Sequence, residues 1–220
     1  MELGPTHRYY SSRYAFHPAR QKVWAHLCAY FNRRWISRAS RVIDVGAGYC
    51  FFINQIQAVE KWACDAHPEL AKYAATGVHV VPDGFAGLRA LPSAGLDVAF
   101  ASNIFEHLSG TELEETLSQI RRILVDRGRL IIMQPNFKYC MAEYFDDYTH
   151  VAIFTHVGLA DLLRAKGFNI LSCEGRFMPY SFKSLGARLS WLVPLYLWLP
   201  YKPMAAQMLV VAEKRPGEDL

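Results

Sequence analysis

Three aspartates close short apolar runs, and glycines follow the first almost at once, in Asp44-Val-Gly-Ala-Gly48. Ionised carboxylates accept hydrogen bonds from hydroxyls, amines and cationic groups. Gly46 and Gly48 lack a Cβ, so the backbone there can turn sharply and lie against a ligand, with Ala47 between them. Asp65-Ala66 and Asp83-Gly84-Phe85 end two later runs, and Ser102-Asn103, then Glu106-His107, follow a third. The set suits one ligand with a ribose, a base and a cationic head. Asp65 lies about twenty residues past the glycine loop, a placement that serves ribose hydroxyls. Asp83 would accept from an exocyclic amine of the base, Gly84 and Phe85 would supply backbone contact and an apolar wall, and Asp44 would face a cationic amino group. Plainer roles compete: turn capping for Asp44, solvated strand ends for Asp65 and Asp83, and capping or packing for Glu106 and His107.

These residues need a scaffold that gathers strand ends. Arg41–Val45 reads as the first strand, and a helix is expected from about Phe51 to Gln57, its N–H groups turned toward the loop. Further strands are expected at Val59–Cys64, Val78–Val81, Leu96–Ala101, Arg129–Met133, Phe168–Cys173 and Met208–Glu213. Helices are expected at Pro18–Arg34, Pro68–Ala75, Thr111–Leu124, with Thr111 and Glu114 as a capping box, and Phe154–Lys166. Alternation of strand and helix predicts an α/β fold with a mostly parallel sheet. Ligands of such sheets lie beyond the carboxyl ends of the strands, where all the residues above fall.

With these motifs in view, the chain resembles class I S-adenosylmethionine-dependent methyltransferases, in particular a type-11-like branch. The carriers are Asp44-Val-Gly-Ala-Gly48, Asp65, Asp83, the fourth-strand segment Leu96–Leu108, the run Ile123–Ile132, and Asp146-Asp-Tyr-Thr-His150 with Phe154-Thr and Leu162–Phe168. Two departures stand out: Asp126-Arg127-Gly128 replaces the usual Pro-Gly-Gly, and Cys50 stands where many relatives carry glycine. The resemblance implies a Rossmann-like, doubly wound sheet of seven strands, mostly parallel with the last antiparallel, and helices on both faces. It implies one domain over residues 1–220, with an N-terminal lid and helix (1–38) and an insertion before the last strand (175–206). It implies S-adenosyl-L-methionine as cofactor, bound by Asp44, Gly46, Ala47, Gly48, Asp65, Ala66, Asp83, Gly84, Phe85, Ser102, Asn103 and His107.

Methyl transfer from a sulfonium needs mainly alignment and exclusion of water, because the leaving thioether is neutral. A hydroxyl acceptor gains from a base. His150 is the first candidate, Asp147 the second, with His107 and His156 behind. The expected acceptor is a small molecule, sugar or glycolipid, since the recognition segments (Tyr9–Phe16, Gln134–Tyr148, Arg176–Lys202) are aromatic with scattered positive charge. Two rival functions share these features. A nicotinamide-dependent oxidoreductase wants a small residue where Phe51 stands. A non-catalytic methyltransferase-like module would have lost the chemistry but kept the pocket.

Formal net charge is +4 and no Lys/Arg block concentrates it, which argues against nucleic acid as partner. The five cysteines are scattered, so buried free thiols in a cytoplasmic protein are expected. No carboxylate or histidine cluster has ligand spacing, so no metal is expected. The apolar run Leu189–Leu199 is too short to span a bilayer. It reads as a helix packed on the sheet, a homodimer face, or a surface touching lipid headgroups.

Overall fold

The computed structural model describes residues 16–180 and 187–217. Its sheet has seven strands: β1 (Arg41–Val45), β2 (Glu60–Cys64), β3 (Val78–Val81), β4 (Leu96–Ser102), β5 (Leu124–Pro135), β6 (Phe168–Pro179) and β7 (Ala205–Lys214). The order across the sheet is β3-β2-β1-β4-β5-β7-β6. Strands β1 to β5 run parallel, and β7 is antiparallel to both neighbours. This is the expected Rossmann-like arrangement. Strand order reverses between β1 and β4, which opens a crevice at their carboxyl ends.

Alternate strand residues feed two cores, as the period of two requires. On one face Val42, Phe100, Ile131, Met133 and Leu209 pack under α1 (Pro18–Arg34) and α6 (Val193–Trp198). On the other, Ile43, Ala99, Ile132 and Val210 pack under α3 (Gly110–Ile123) and α5 (His156–Ala165). Short helices at Leu70–Tyr73 (α2) and Phe137–Cys140 (α4) complete the set. A bundle of rings fills the first core: Phe52 stacks on Phe100 at 3.8 Å, and Phe31 and Trp24 meet Phe100 edge-on. Phe100 is fully buried. Phe100→Ala is expected to lower unfolding free energy by about 3–5 kcal/mol, as buried aromatic truncations do. Urea denaturation measures it, and a loss below about 1 kcal/mol would show that the ring bundle is not cooperative core.

Several expectations shift. The segment after the glycine loop forms successive turns instead of a helix over Phe51–Gln57. Cys50 has φ +58°, a left-handed conformation that a regular helix excludes, and the following aromatic and β-branched residues are weak helix formers. The α3 cap is Ser109, whose side chain accepts from the Glu112 N–H while the Glu112 carboxylate accepts from the Ser109 N–H. The Thr111–Glu114 box is therefore displaced by two residues. Strand β6 runs on to Pro179 because it pairs with β7 through several register shifts. The connection to β7 carries its expected small helix, α6. Four cysteines are buried, but Cys173 is exposed; all five are free. The apolar run packs Val193 and Leu197 into the core, yet Trp191, Leu195 and Trp198 face outward. Residues 1–15 and 181–186 lie outside the described residues, and with them most of the expected lid.

Candidate functional site

The crevice begins at the end of β1. Gly46 has φ +83° and Gly48 φ +50°, both in the region that favours glycine. The Gly46 and Ala47 N–H groups donate to the Cys64 carbonyl, at 2.8 and 3.1 Å, which stitches the loop to the end of β2. Asp65 closes the loop from the other side: one carboxylate oxygen accepts from the Gly48 N–H at 2.7 Å, the other from the His67 N–H at 2.7 Å. Asp44 is buried, and burial, helped by the Asp65 charge, raises its carboxyl well above the usual range against a hydrogen bond from the Ile53 backbone.

Two hollows flank this loop. A cleft of about 700 Å³ is lined by Asp65, Ala66, Asp83, Gly84 and Phe85, with Leu108, Glu112 and Thr116 forming the α3 side. A narrow one of about 20 Å³ lies between Trp24, Asp44, Gly46, Ala47, Phe100 and Ser102. The Ile104 side chain covers Gly46 so closely that a Cβ there would meet it at 3.0 Å. Phe16 stacks on Phe51 at 5.4 Å and on Tyr73 at 6.1 Å, beside Tyr49.

A second constellation sits past the end of β4. His107 and His150 stand with ring centroids 4.8 Å apart. The His150 Nδ1 meets the Tyr144 carbonyl at 2.6 Å, and the His107 Nδ1 meets the Thr149 carbonyl at 3.3 Å. Carbonyl oxygens only accept, so both Nδ1 atoms carry a proton, and in the neutral form of each ring the lone pair is on Nε2. Thr149 Oγ1 joins the Asp147 carboxylate (2.6 Å) to the His107 ring (2.9 Å). Glu106 is 1 % exposed, and no other described residue hydrogen-bonds its carboxylate oxygens. Burial pushes the Glu106 carboxyl up to about 8, and burial with the His150 charge pushes His107 down to about 4. His156 lies apart from this group, with Asn136 at 3.0 Å and stacked on Tyr139.

A family model described as a methyltransferase domain matches residues 16–173. The chain belongs to this methyltransferase family. Solved structures agree on the fold. A SAM-dependent methyltransferase from Archaeoglobus fulgidus aligns at TM-score 0.63 and 19 % identity, covering 87 % of this chain and 94 % of that one. A possible histamine N-methyltransferase from Thermotoga maritima aligns at 0.62 and 17 %, covering 90 % and 89 %. The [4+2]-cyclase SpnF aligns at 0.63 and 17 %, covering 87 % and 80 %. No curated protein matches by sequence.

The methyltransferase domain thus places the expected cofactor residues in two groups. Asp65, Ala66, Asp83, Gly84 and Phe85 line the wide cleft, and Asp44, Gly46, Ala47 and Ser102 line the narrow hollow. Gly48 binds Asp65. Asn103 lies in neither lining; it has φ +52° and donates to Ser102 Oγ at 3.0 Å. His107 joins His150 instead of the cleft. The wide cleft is open, whereas the Ile104 side chain lies against Gly46 at the narrow hollow. Sequence reasoning missed Trp24 and Phe100 as walls and Glu106 as a member of the histidine group. The adjacency of Glu106 to His107 was the available signal. The metal-free expectation also rested on spacing alone; the fold brings ligand atoms of Glu106, His107 and His150 within 4.8 Å of one another.

Proposed function

We propose that this protein transfers the methyl group of S-adenosyl-L-methionine to a hydroxyl of a small-molecule, sugar or glycolipid acceptor. The observation that carries the cofactor half is the cleft rimmed by Asp65, Asp83, Gly84 and Phe85 beside a glycine loop. Asp65 faces the ribose, Asp83 the amine of the base, and Asp44 the cationic amino end. A positive charge arriving there would favour ionised Asp44, which burial otherwise disfavours. The turns after Gly48 weigh against a dinucleotide, because a pyrophosphate is held by a helix N-terminus that this segment does not form.

The acceptor half rests on the histidine group. The acceptor oxygen attacks the methyl carbon, the C–S bond breaks toward sulfur, and the hydroxyl proton goes to His150 Nε2. Asp147 and Thr149 orient His107 beside it. Met141, Phe145, Tyr148, Val151 and Ile153 are exposed around this loop, which suits an acceptor with an apolar body. The outward face of Trp191, Leu195, Trp198 and Tyr201 fits contact with a membrane surface or a second copy of the chain. No helix among the described residues is long and apolar enough to cross a membrane.

Trp24 borders the narrow hollow and supplies the reporter. Titration with S-adenosylhomocysteine should quench tryptophan fluorescence saturably, and NAD(H) should not. Quenching by NAD(H) alone would overturn the cofactor assignment.

A further inference from the structure

Glu106 is the anomaly. A carboxylate taken out of water is costly unless it is protonated, paired, hydrogen-bonded or bound to a metal. Its two oxygens are buried and no other described residue hydrogen-bonds them, while Oε1 stands 4.0 Å from the His107 Nε2. Within the same 4.8 Å lies a ligand atom of His150, brought in by the loop that follows β5. Both rings are pinned through Nδ1–H to backbone carbonyls. That is how metal-binding imidazoles are commonly held, with the distal nitrogen presented as ligand. The His107 side chain keeps 18 % of its surface exposed, which leaves a route of entry.

We propose that Glu106, His107 and His150 hold a divalent first-row transition-metal cation that binds and activates the acceptor hydroxyl. Two imidazoles and one carboxylate suit manganese, iron or zinc, with further positions open to substrate oxygen. Bond lengths near 2.1 Å place such ligands about 3–3.5 Å apart, so a group spread over 4.8 Å must close by about 1.3–1.8 Å. A hydroxyl bound to the ion loses its proton to water, and its oxygen then attacks the methyl carbon while sulfur keeps the electron pair of the broken bond. His150 acts in that case through the ion, and proton removal no longer depends on it. The inference deepens the acceptor reading above and rests on it for the hydroxyl's role. Cation binding itself is measured without cofactor or acceptor.

The test uses the full chain, stripped with chelator and titrated with Mn²⁺ while the free ion is followed by electron paramagnetic resonance; Zn²⁺ is added in parallel by equilibrium dialysis. One equivalent of either ion should bind per chain. Glu106→Gln and His150→Gln, which preserve side-chain bulk, should each weaken binding by at least about 100-fold, since even outer-sphere changes cost about 10–100-fold. Circular dichroism confirms that each variant is folded. No stoichiometric uptake of Mn²⁺ or Zn²⁺ by the wild type, or undiminished uptake in both folded variants, overturns the site. S-adenosylhomocysteine titration of the same samples separates the readings: uptake of the ion without cofactor binding would keep the cation site and remove the methyltransferase assignment.

Discussion

Asp65→Ala is expected to weaken S-adenosylhomocysteine binding by about two to three orders of magnitude. Hydrogen bonds to a charged group contribute roughly 1.5–3 kcal/mol each, and a ribose offers two hydroxyls to this carboxylate. The substitution also strips the acceptor from the Gly48 and His67 N–H groups, each bonded to Asp65 at 2.7 Å. Binding therefore falls through lost contact and through a slackened loop together. Asp65→Asn separates the two: it keeps a carbonyl for one amide but loses the charge, so affinity should fall less. Isothermal titration reads both. Wild-type affinity in a folded Asp65→Ala protein would remove this carboxylate from the cofactor site. Gly46→Val is less informative, because φ +83° and the Ile104 side chain at 3.0 Å make the folded state itself suffer.

His150→Ala is expected to reduce turnover by about 10²–10⁴-fold, the range for loss of a positioned proton acceptor, and to leave S-adenosylhomocysteine affinity unchanged; where the ring instead holds the proposed ion, turnover falls through loss of that ion and added Mn²⁺ restores part of it. The ring is buried and its Nδ1–H is anchored to the Tyr144 carbonyl, so its orientation is set by the protein before substrate arrives. Tyr144 is itself fixed, donating its hydroxyl to the Ala152 carbonyl. Once an acceptor is in hand, initial rates decide the matter; a variant with wild-type turnover would take His150 out of the chemistry. An amine acceptor would give that result, because a neutral amine already carries its nucleophilic pair.

Local patterns exposed the sheet clearly. Arg41–Val45 and Val78–Val81 are strands over the ranges that alternation and β-branching mark, and Pro18–Arg34 is a helix over its full expected span. Those elements are set by neighbours in sequence. The segment after Gly48 forms turns where its sequence predicts a helix, because apolar content points equally to a helix and to packed turns. Stacking of Phe52 on Phe100, from a strand far along the chain, decides for the turns. The Ser109 cap was missed because a second Thr/Glu pair lies two residues on with the same spacing. The acidic strand tips were visible, since each ends its own run. The meeting of Glu106 and His107 with His150 was not visible, because a loop following another strand supplies the third member and no spacing rule reports it.

The last strand of the sheet in sequence is not its last in space: β7 lies between β5 and β6. A ribosome therefore delivers both flanks before the piece that joins them. Until Ala205–Lys214 emerges, the backbone edges of β5 and β6 stay open and their apolar rows uncovered, the condition in which nascent chains stick to one another. Synthesis that stalls short of this stretch should leave an aggregation-prone product with β6 unpaired and the β5 edge open, and chaperone dependence should fall sharply once those ten residues are free.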